Sequence, residues 1–135
     1  TTLFRSGTTC GELAELVDLV PTILDLCTLD IPPHCQSRSL ASLLQGGSEP
    51  VRDSVFMEIG NPNGTQWKAL RTRDHKLCVS NEGRAILYDM QADPHELNDL
   101  ADEPSAQPVR QAMFEQLVQR IFAARPHVRR FKPCW

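Results

Sequence analysis

Ser54-Val55-Phe56-Met57-Glu58-Ile59, Trp67-Lys68-Ala69-Leu70-Arg71-Thr72, His75-Lys76-Leu77-Cys78-Val79-Ser80 and Ala85-Ile86-Leu87-Tyr88-Asp89 decide the fold. Each run is short, and the hydrophobic period within it is close to 2, the repeat of a strand with one face inward. The links are turn chemistry. Gly60-Asn61-Pro62-Asn63-Gly64-Thr65 is a long turn-rich loop, Arg73-Asp74 a tight connection, and Asn81-Glu82-Gly83-Arg84 a hairpin with Gly83 available for positive φ. Links this short join neighbours antiparallel, so the region predicts a four-stranded meander.

Downstream, Asp93-Pro94-His95-Glu96 reads as a turn with Pro pre-set at its second position. Val109, Ala112, Met113, Leu117, Ile121 and Ala124 then fall on one stripe of a helix from about Ser105 to Ala124. That stripe needs a sheet to cover, and the meander supplies one. The tail, 126–135, is basic and unpatterned.

Upstream, Gln45-Gly46-Gly47-Ser48-Glu49-Pro50 reads as a loop and as the boundary between two units, 11–47 and 51–125. Arg38 to Leu44 predicts a short apolar helix, and Asp18 to Leu26 a longer one. In the latter Asp18 is placed to cap the free amides and Pro21 sits in the first turn. Leu19, Ile23 and Leu26 share a face, and Ile31-Pro32-Pro33 terminates the run. Gly11 to Val17 fits either a strand or a helical turn.

Composition bounds the rest. With 135 residues, 41% hydrophobic and 23% charged, the chain can bury roughly 68% of its unfolded surface, and wholesale disorder is excluded. Fourteen basic against seventeen acidic side chains give −3, no electrostatic footprint for nucleic acid. No apolar run is long enough to span a membrane. The opening Thr1-Thr2-Leu3-Phe4-Arg5-Ser6 resembles translated adapter of the kind met in metagenomic reads, so 1–10 reads as a scar and lead-in, and the remainder as the C-terminal piece of a longer protein.

Catalytic ingredients are sparse. Cys10, Cys27, Cys35, Cys78 and Cys134 are odd in number and form no Cys-x-x-Cys pair, which reads as unpaired thiols rather than a disulfide scaffold. His34, His75, His95 and His127 are isolated, without metal-ligand spacing. Asp89 and Asp93 read as turn and capping residues rather than ligands of a hard cation. No nucleophile-elbow pattern is present.

Four segments carry a resemblance. Val17-Asp18-Leu19-Val20-Pro21-Thr22-Ile23-Leu24-Asp25-Leu26 resembles the segment closing the main domain of type I sulfatases, of the alkaline-phosphatase superfamily. Gln36-Ser37-Arg38-Ser39-Leu40 is similar to the Gln-Gly-Arg-Ser-Leu that follows there, with Ser37 in place of Gly. Trp67 to Leu77 resembles the family's Arg-Thr-x-x-Tyr/His-Lys-Leu strand pair. Leu87-Tyr88-Asp89 with Ala92 to Leu100 resembles its Leu-Tyr-Asp…Asp-Pro-x-Glu-x-x-Asn-Leu, with Asp99 where Asn is usual. The motifs keep the family's order over residues 15 to 101.

The resemblance implies an α+β chain: the end of an alkaline-phosphatase-like α/β domain, then a four-stranded antiparallel sheet packed against a long C-terminal helix. It implies that the parent hydrolyses sulfate esters, with a phosphonate or phosphate monoester hydrolase of the same superfamily, or a non-catalytic packing or oligomerisation module, as alternatives. A formylglycine made from Cys or Ser, and calcium held by Asp and Asn, would lie upstream; this chain would hold no cofactor, metal ligand or catalytic residue. Ser48-Glu49-Pro50-Val51-Arg52 satisfies Ser-x-Pro-x-Arg literally, but Val51 and the strand that follows depart from the nucleophile motif, and it reads as a linker. The expected partners are the parent's own N-terminal catalytic domain and a sulfated small molecule or glycan, in a bacterial, periplasmic or secreted enzyme. Substrate-facing candidates are Asn61, Asn63 and Gln66 for sugar hydroxyls, and Arg71, Arg73 and His75 for an anionic sulfate or uronate. The competing reading pairs the arginines with Glu58 or Asp89. Trp67 reads as core rather than as a sugar-stacking platform.

Overall fold

A computed structural model describes residue 7 and residues 9–60 and 63–123. The expectations at the opening six residues, at Asn61, at Ala124 and along 126–135 lie outside the described residues. The meander forms as the pattern requires. β1 (Val55–Gly60), β2 (Gln66–Arg71), β3 (His75–Ser80) and β4 (Ala85–Asp89) stand in the order β1-β2-β3-β4, all neighbours antiparallel. Gly83 takes φ +84° in the last hairpin, where its N–H donates to the Ser80 carbonyl at 3.1 Å.

Register gathers the core. Phe56 lies opposite Leu70, Leu70 opposite Leu77, and Leu77 opposite Leu87, which puts one apolar row on one face. Over it lies α3 (Gln107–Ala123), entered through a 3-10 turn at Pro104–Ala106. Leu70, Leu77, Leu87, Ala101, Met113 and Leu117 form the buried cluster, with Phe56, Val79, Val109 and Ile121 against it. Ala112 does not belong to the stripe: it is exposed, one residue (about 100°) round the helix from Met113.

The Asp93 turn is built by its side chain. Asp93 Oδ2 accepts the N–H groups of Leu97 and Asn98 at 2.7 and 2.8 Å, and Asp89 Oδ1 accepts those of Gln91 and Ala92, both at 2.9 Å. The capping roles expected of both aspartates are what their oxygens perform. Asp99 Oδ1 accepts Leu87 N–H at 3.0 Å and Ala101 N–H at 2.9 Å, tying the loop to edge strand β4. An amide oxygen would serve equally, which is why Asn fits there.

The N-terminal segment departs from expectation in three ways, each with a physical cause. Residues Leu16–Asp18 make a 3-10 turn before α1 (Leu19–Leu26). Asp18 precedes α1 in helical backbone geometry and makes no capping bond to it; its carboxylate is fully buried and turned elsewhere. The helix ends at Leu26 as expected, but the prolines are not what stops it. Leu29 N–H donates to the Leu24 carbonyl and Thr28 N–H to that of Asp25, with Thr28 at φ +58°, a Schellman stop with threonine where glycine is usual. Finally, only Ala41–Leu44 of the second predicted helix forms (α2). The N–H groups of Arg38 and Leu40 donate instead to Asp18 Oδ1 at 3.1 Å and Thr22 Oγ1 at 2.9 Å, so partners on the first segment displace the helix there.

Candidate functional site

The six substrate-facing candidates do not form one site. In a meander, successive turns alternate between the two ends of the sheet. Asn63 and Gln66 stand at the β1–β2 turn, beside the β3–β4 hairpin; Arg71, Arg73 and His75 stand at the other end, about 17 Å away along six-residue strands. Asn61 is outside the described residues.

The far end is a braced turn. Gln66 N–H donates to Asn81 Oδ1 at 2.9 Å, Asn81 N–H to the Gln66 carbonyl at 3.0 Å, and Thr65 Oγ1 to Glu82 at 2.7 Å. Gly60, at φ +149°, leaves no room for a side chain, because an added Cβ would meet Gln66 Cα and the Thr65 carbonyl at 2.7 Å. A shallow cavity of about 300 Å³ lies beside it, lined by Glu58, Ile59, Gly60, Gln66, Trp67 and Lys68. Trp67 lines this cavity half-buried, outside the core cluster, and strand alternation sends it away from α3. That corrects its reading as core.

The near end holds the arginines. Thr72 N–H donates to the His75 carbonyl at 2.9 Å and His75 N–H to Thr72 Oγ1 at 3.0 Å, closing the turn. Arg73 pairs with Glu12 rather than Glu58 or Asp89, and Glu58 is engaged by Lys68. His75 faces Asp89 across the ladder. The Asp89 carboxyl is held below its ordinary value by the Ala92 and Gln91 amides, with His75 adding to the effect. Arg71 is half-buried and its guanidinium makes no hydrogen bond or ion pair to another described residue; its Nε is enclosed and unpartnered. Because Leu70 and Leu77 face α3, Arg71 points to the opposite face and His75 to the α3 face. Arg71 shares its row with Val55, Lys76 and Tyr88, on a face that also carries Met57, Trp67, Cys78 and Ile86.

One polar cluster escaped the sequence reading. Arg52 is 8% exposed; its Nη2 pairs with Asp18, which has no exposed surface, and its Nη1 lies 2.5 Å from Glu15. Glu15 also accepts Phe56 N–H at 2.8 Å and Arg120 at 2.9 and 3.2 Å. Burial alone would push the Glu15 carboxyl up, but Phe56, Arg52 and Arg120 outweigh it and hold the group below its ordinary value. Its traces in the sequence were Arg52, at the end of the literal Ser-x-Pro-x-Arg, and Asp18, read there as a helix cap. Burial pushes the Cys78 thiol above its ordinary value.

No group of three His, Cys, Asp or Glu side chains gathers among the described residues, and one oxygen each of Asp89 and Asp93 is engaged by backbone amides. The four-stranded antiparallel meander with α3 over one face is the architecture of a sulfatase C-terminal domain. The sequence profile of the N-sulphoglucosamine sulphohydrolase C-terminal family matches residues 2–122, and the chain belongs to that family.

Individual relatives agree. An ulvan-active sulfatase of Formosa agariphila is 24% identical over 123 residues, covering 87% of this chain and 24% of its own length. The solved structure of a 2-O GAG sulfatase superposes with TM-score 0.72 at 26% identity, over 78% of this chain and 24% of that one. A phosphonate monoester hydrolase of Agrobacterium radiobacter shares the fold at TM-score 0.67 and 23% identity, over 79% of this chain and 25% of its own. The chain thus spans about a quarter of the length of these relatives.

Proposed function

We propose that this chain is the C-terminal part of a sulfuric ester hydrolase, packing beside a catalytic domain and contributing to the wall of its substrate cleft. The observation that supports this is the family match along residues 2–122, on a meander-and-helix fold shared with a solved sulfatase. Formylglycine and calcium, supplied by the catalytic domain, would perform attack on sulfur and absorb charge on the sulfuryl oxygens. The residues of this chain bind and orient. Arg71 is suited to this, because its guanidinium has no internal acid to satisfy and can fork to a sulfate or uronate of a sulfated small molecule or glycan. The N-terminal segment meets the sheet at the same end, through Glu12 and Arg73, which supports Arg71 over Asn63 or Gln66 as the cleft-facing residue.

Two measurements test the reading. The 135-residue chain supplied with calcium should release no sulfate; turnover abolished by Ser48→Ala would overturn the proposal. In an enzyme that includes the upstream domain, Arg71→Ala should raise KM about tenfold or more, since a charge-assisted contact is worth roughly 1.5–3 kcal/mol. His75→Ala, on the α3 face, should do less. Unchanged kinetics on several sulfated substrates would reduce the domain to packing or oligomerisation. The shared fold of the phosphonate monoester hydrolase supports a second reading, phosphonate ester hydrolysis; kcat/KM on paired aryl sulfate and aryl phosphonate substrates separates the two.

A further inference from the structure

Ion pairs carry much of the attachment of the N-terminal segment to the sheet. Leu16, Val17, Leu19, Val20 and Ile23 all face solvent, leaving Pro21 enclosed and Leu13, Leu24 and Leu26 half-buried as the segment's apolar anchorage. Besides the Glu12–Arg73 pair, what fastens it is a neutral set of two carboxylates and two guanidiniums drawn from three parts of the sequence. Glu15 precedes the 3-10 turn and Asp18 ends it, Arg52 lies just before β1, and Arg120 lies near the end of α3. The fork of Arg52 reaches both carboxylates at once. Glu15 passes the connection to the β1 backbone through Phe56 N–H, and Asp18 passes it to residues 36–40 through Arg38 N–H.

We propose that Arg52 is a positioning residue, clamping residues 12–40 to the start of β1 and the end of α3 and so fixing where the Arg71 end of the sheet stands relative to the chain upstream. A buried ion pair adds little net stability over an apolar replacement, but losing one partner strands a buried charge. Asp18 is wholly enclosed; the Glu15 and Arg38 N–H groups donate to its two oxygens, and Arg52 supplies its only countercharge among the described residues. A lysine cannot replace this function fully, because one ammonium lacks the planar fork that spans two acids. Glu58 and His34 line the cavity of about 660 Å³ beside Glu15 and Arg120, and neither pairs with Arg52.

Hydrogen exchange on the full 135-residue chain reads this directly. Arg52→Met should speed exchange in residues 15–44 about tenfold or more while β2, β3, β4 and α3 keep their protection. Arg52→Lys should fall between wild type and Arg52→Met. Uniform loss across the sheet, or no change at all, would overturn the proposal. If Arg52→Met does not fold, Arg120→Met removes only the α3 donor to Glu15 and should loosen residues 15–44 by a smaller factor; no change there also overturns it. The link to Arg71 rests on the function proposed above. In an enzyme with its upstream domain, Arg52→Lys should raise KM with kcat nearly unchanged. If the exchange result holds and KM does not move, the clamp stands and the cleft reading falls; if exchange is unaffected, the clamp falls whatever the kinetics.

Discussion

Glu15 shows how one side chain can carry three structural duties. It accepts the β1 amide of Phe56, one arm of Arg52 and the Arg120 guanidinium, and these hold its carboxyl below the ordinary value of 4.5 despite burial. The sign follows from linkage. With the folded value lowered, the unfolded chain binds the proton more readily, so the stabilisation is full above about pH 4.5 and is lost as pH falls through the folded value. Urea midpoints measured from about pH 7 down to about pH 3 should therefore decline on the acid side, and Glu15→Gln should lower the plateau and flatten that limb. An unchanged slope in Glu15→Gln would remove Glu15 from the acid response. The Thr28 stop of α1 is a different kind of residue-scale result: a β-branched side chain at φ +58° is disfavoured, and sequence patterning pointed past it to the prolines.

At the scale of elements, the sheet and α3 hold the chain's apolar core, and α1 and α2 do not share in it. Met113 and Leu117 are the two fully enclosed positions of α3, resting on Leu70, Leu77 and Leu87. Met113→Ala or Leu117→Ala should each cost roughly 2–5 kcal/mol in denaturant unfolding, since each removes transfer energy and leaves a cavity. Ala112→Lys, one step round the helix and exposed, should stay within about 0.5 kcal/mol of wild type. Equal losses at 112 and 117 would mean that α3 is not seated as described. The strand bounds were readable to within a residue because turns and alternation are local signals. The shortened α2 was not, because side chains eighteen and twenty residues away take its amides.

At the scale of the molecule, surface hydrophobicity is unevenly spread. Leu16, Val17, Leu19, Val20, Ile23, Leu29 and Ile31 are all exposed along one stretch, and Leu16 reaches 84%. The sheet's second face adds Met57, Ile59 and a half-buried Trp67. Uncovered patches of this kind mark contact surfaces, and in the proposed parent they would lie against the catalytic domain. The chain by itself should then associate or aggregate with rising concentration. Sedimentation velocity should show this, and Val20→Lys with Ile23→Lys should shift the population toward monomer. A wild-type monomer across the whole concentration range would argue that these residues do not form a contact surface.

The sequence by itself determined the meander, its register-setting alternation, the long helix over it, the turn roles of Asp89 and Asp93, and the family. All of these rest on local periodicity, turn chemistry or motif order, which the linear chain displays directly. Only the tertiary structure decided which candidate residues could act together. Turn alternation put Asn63 and Gln66 at one end of the sheet and Arg71, Arg73 and His75 at the other, and the pleat then set Arg71 and His75 on opposite faces. It likewise decided that Asp18 pairs with Arg52, thirty-four residues away, rather than capping the helix beside it. A charge has no period, so its partner is fixed by where the folded backbone brings the opposite charge.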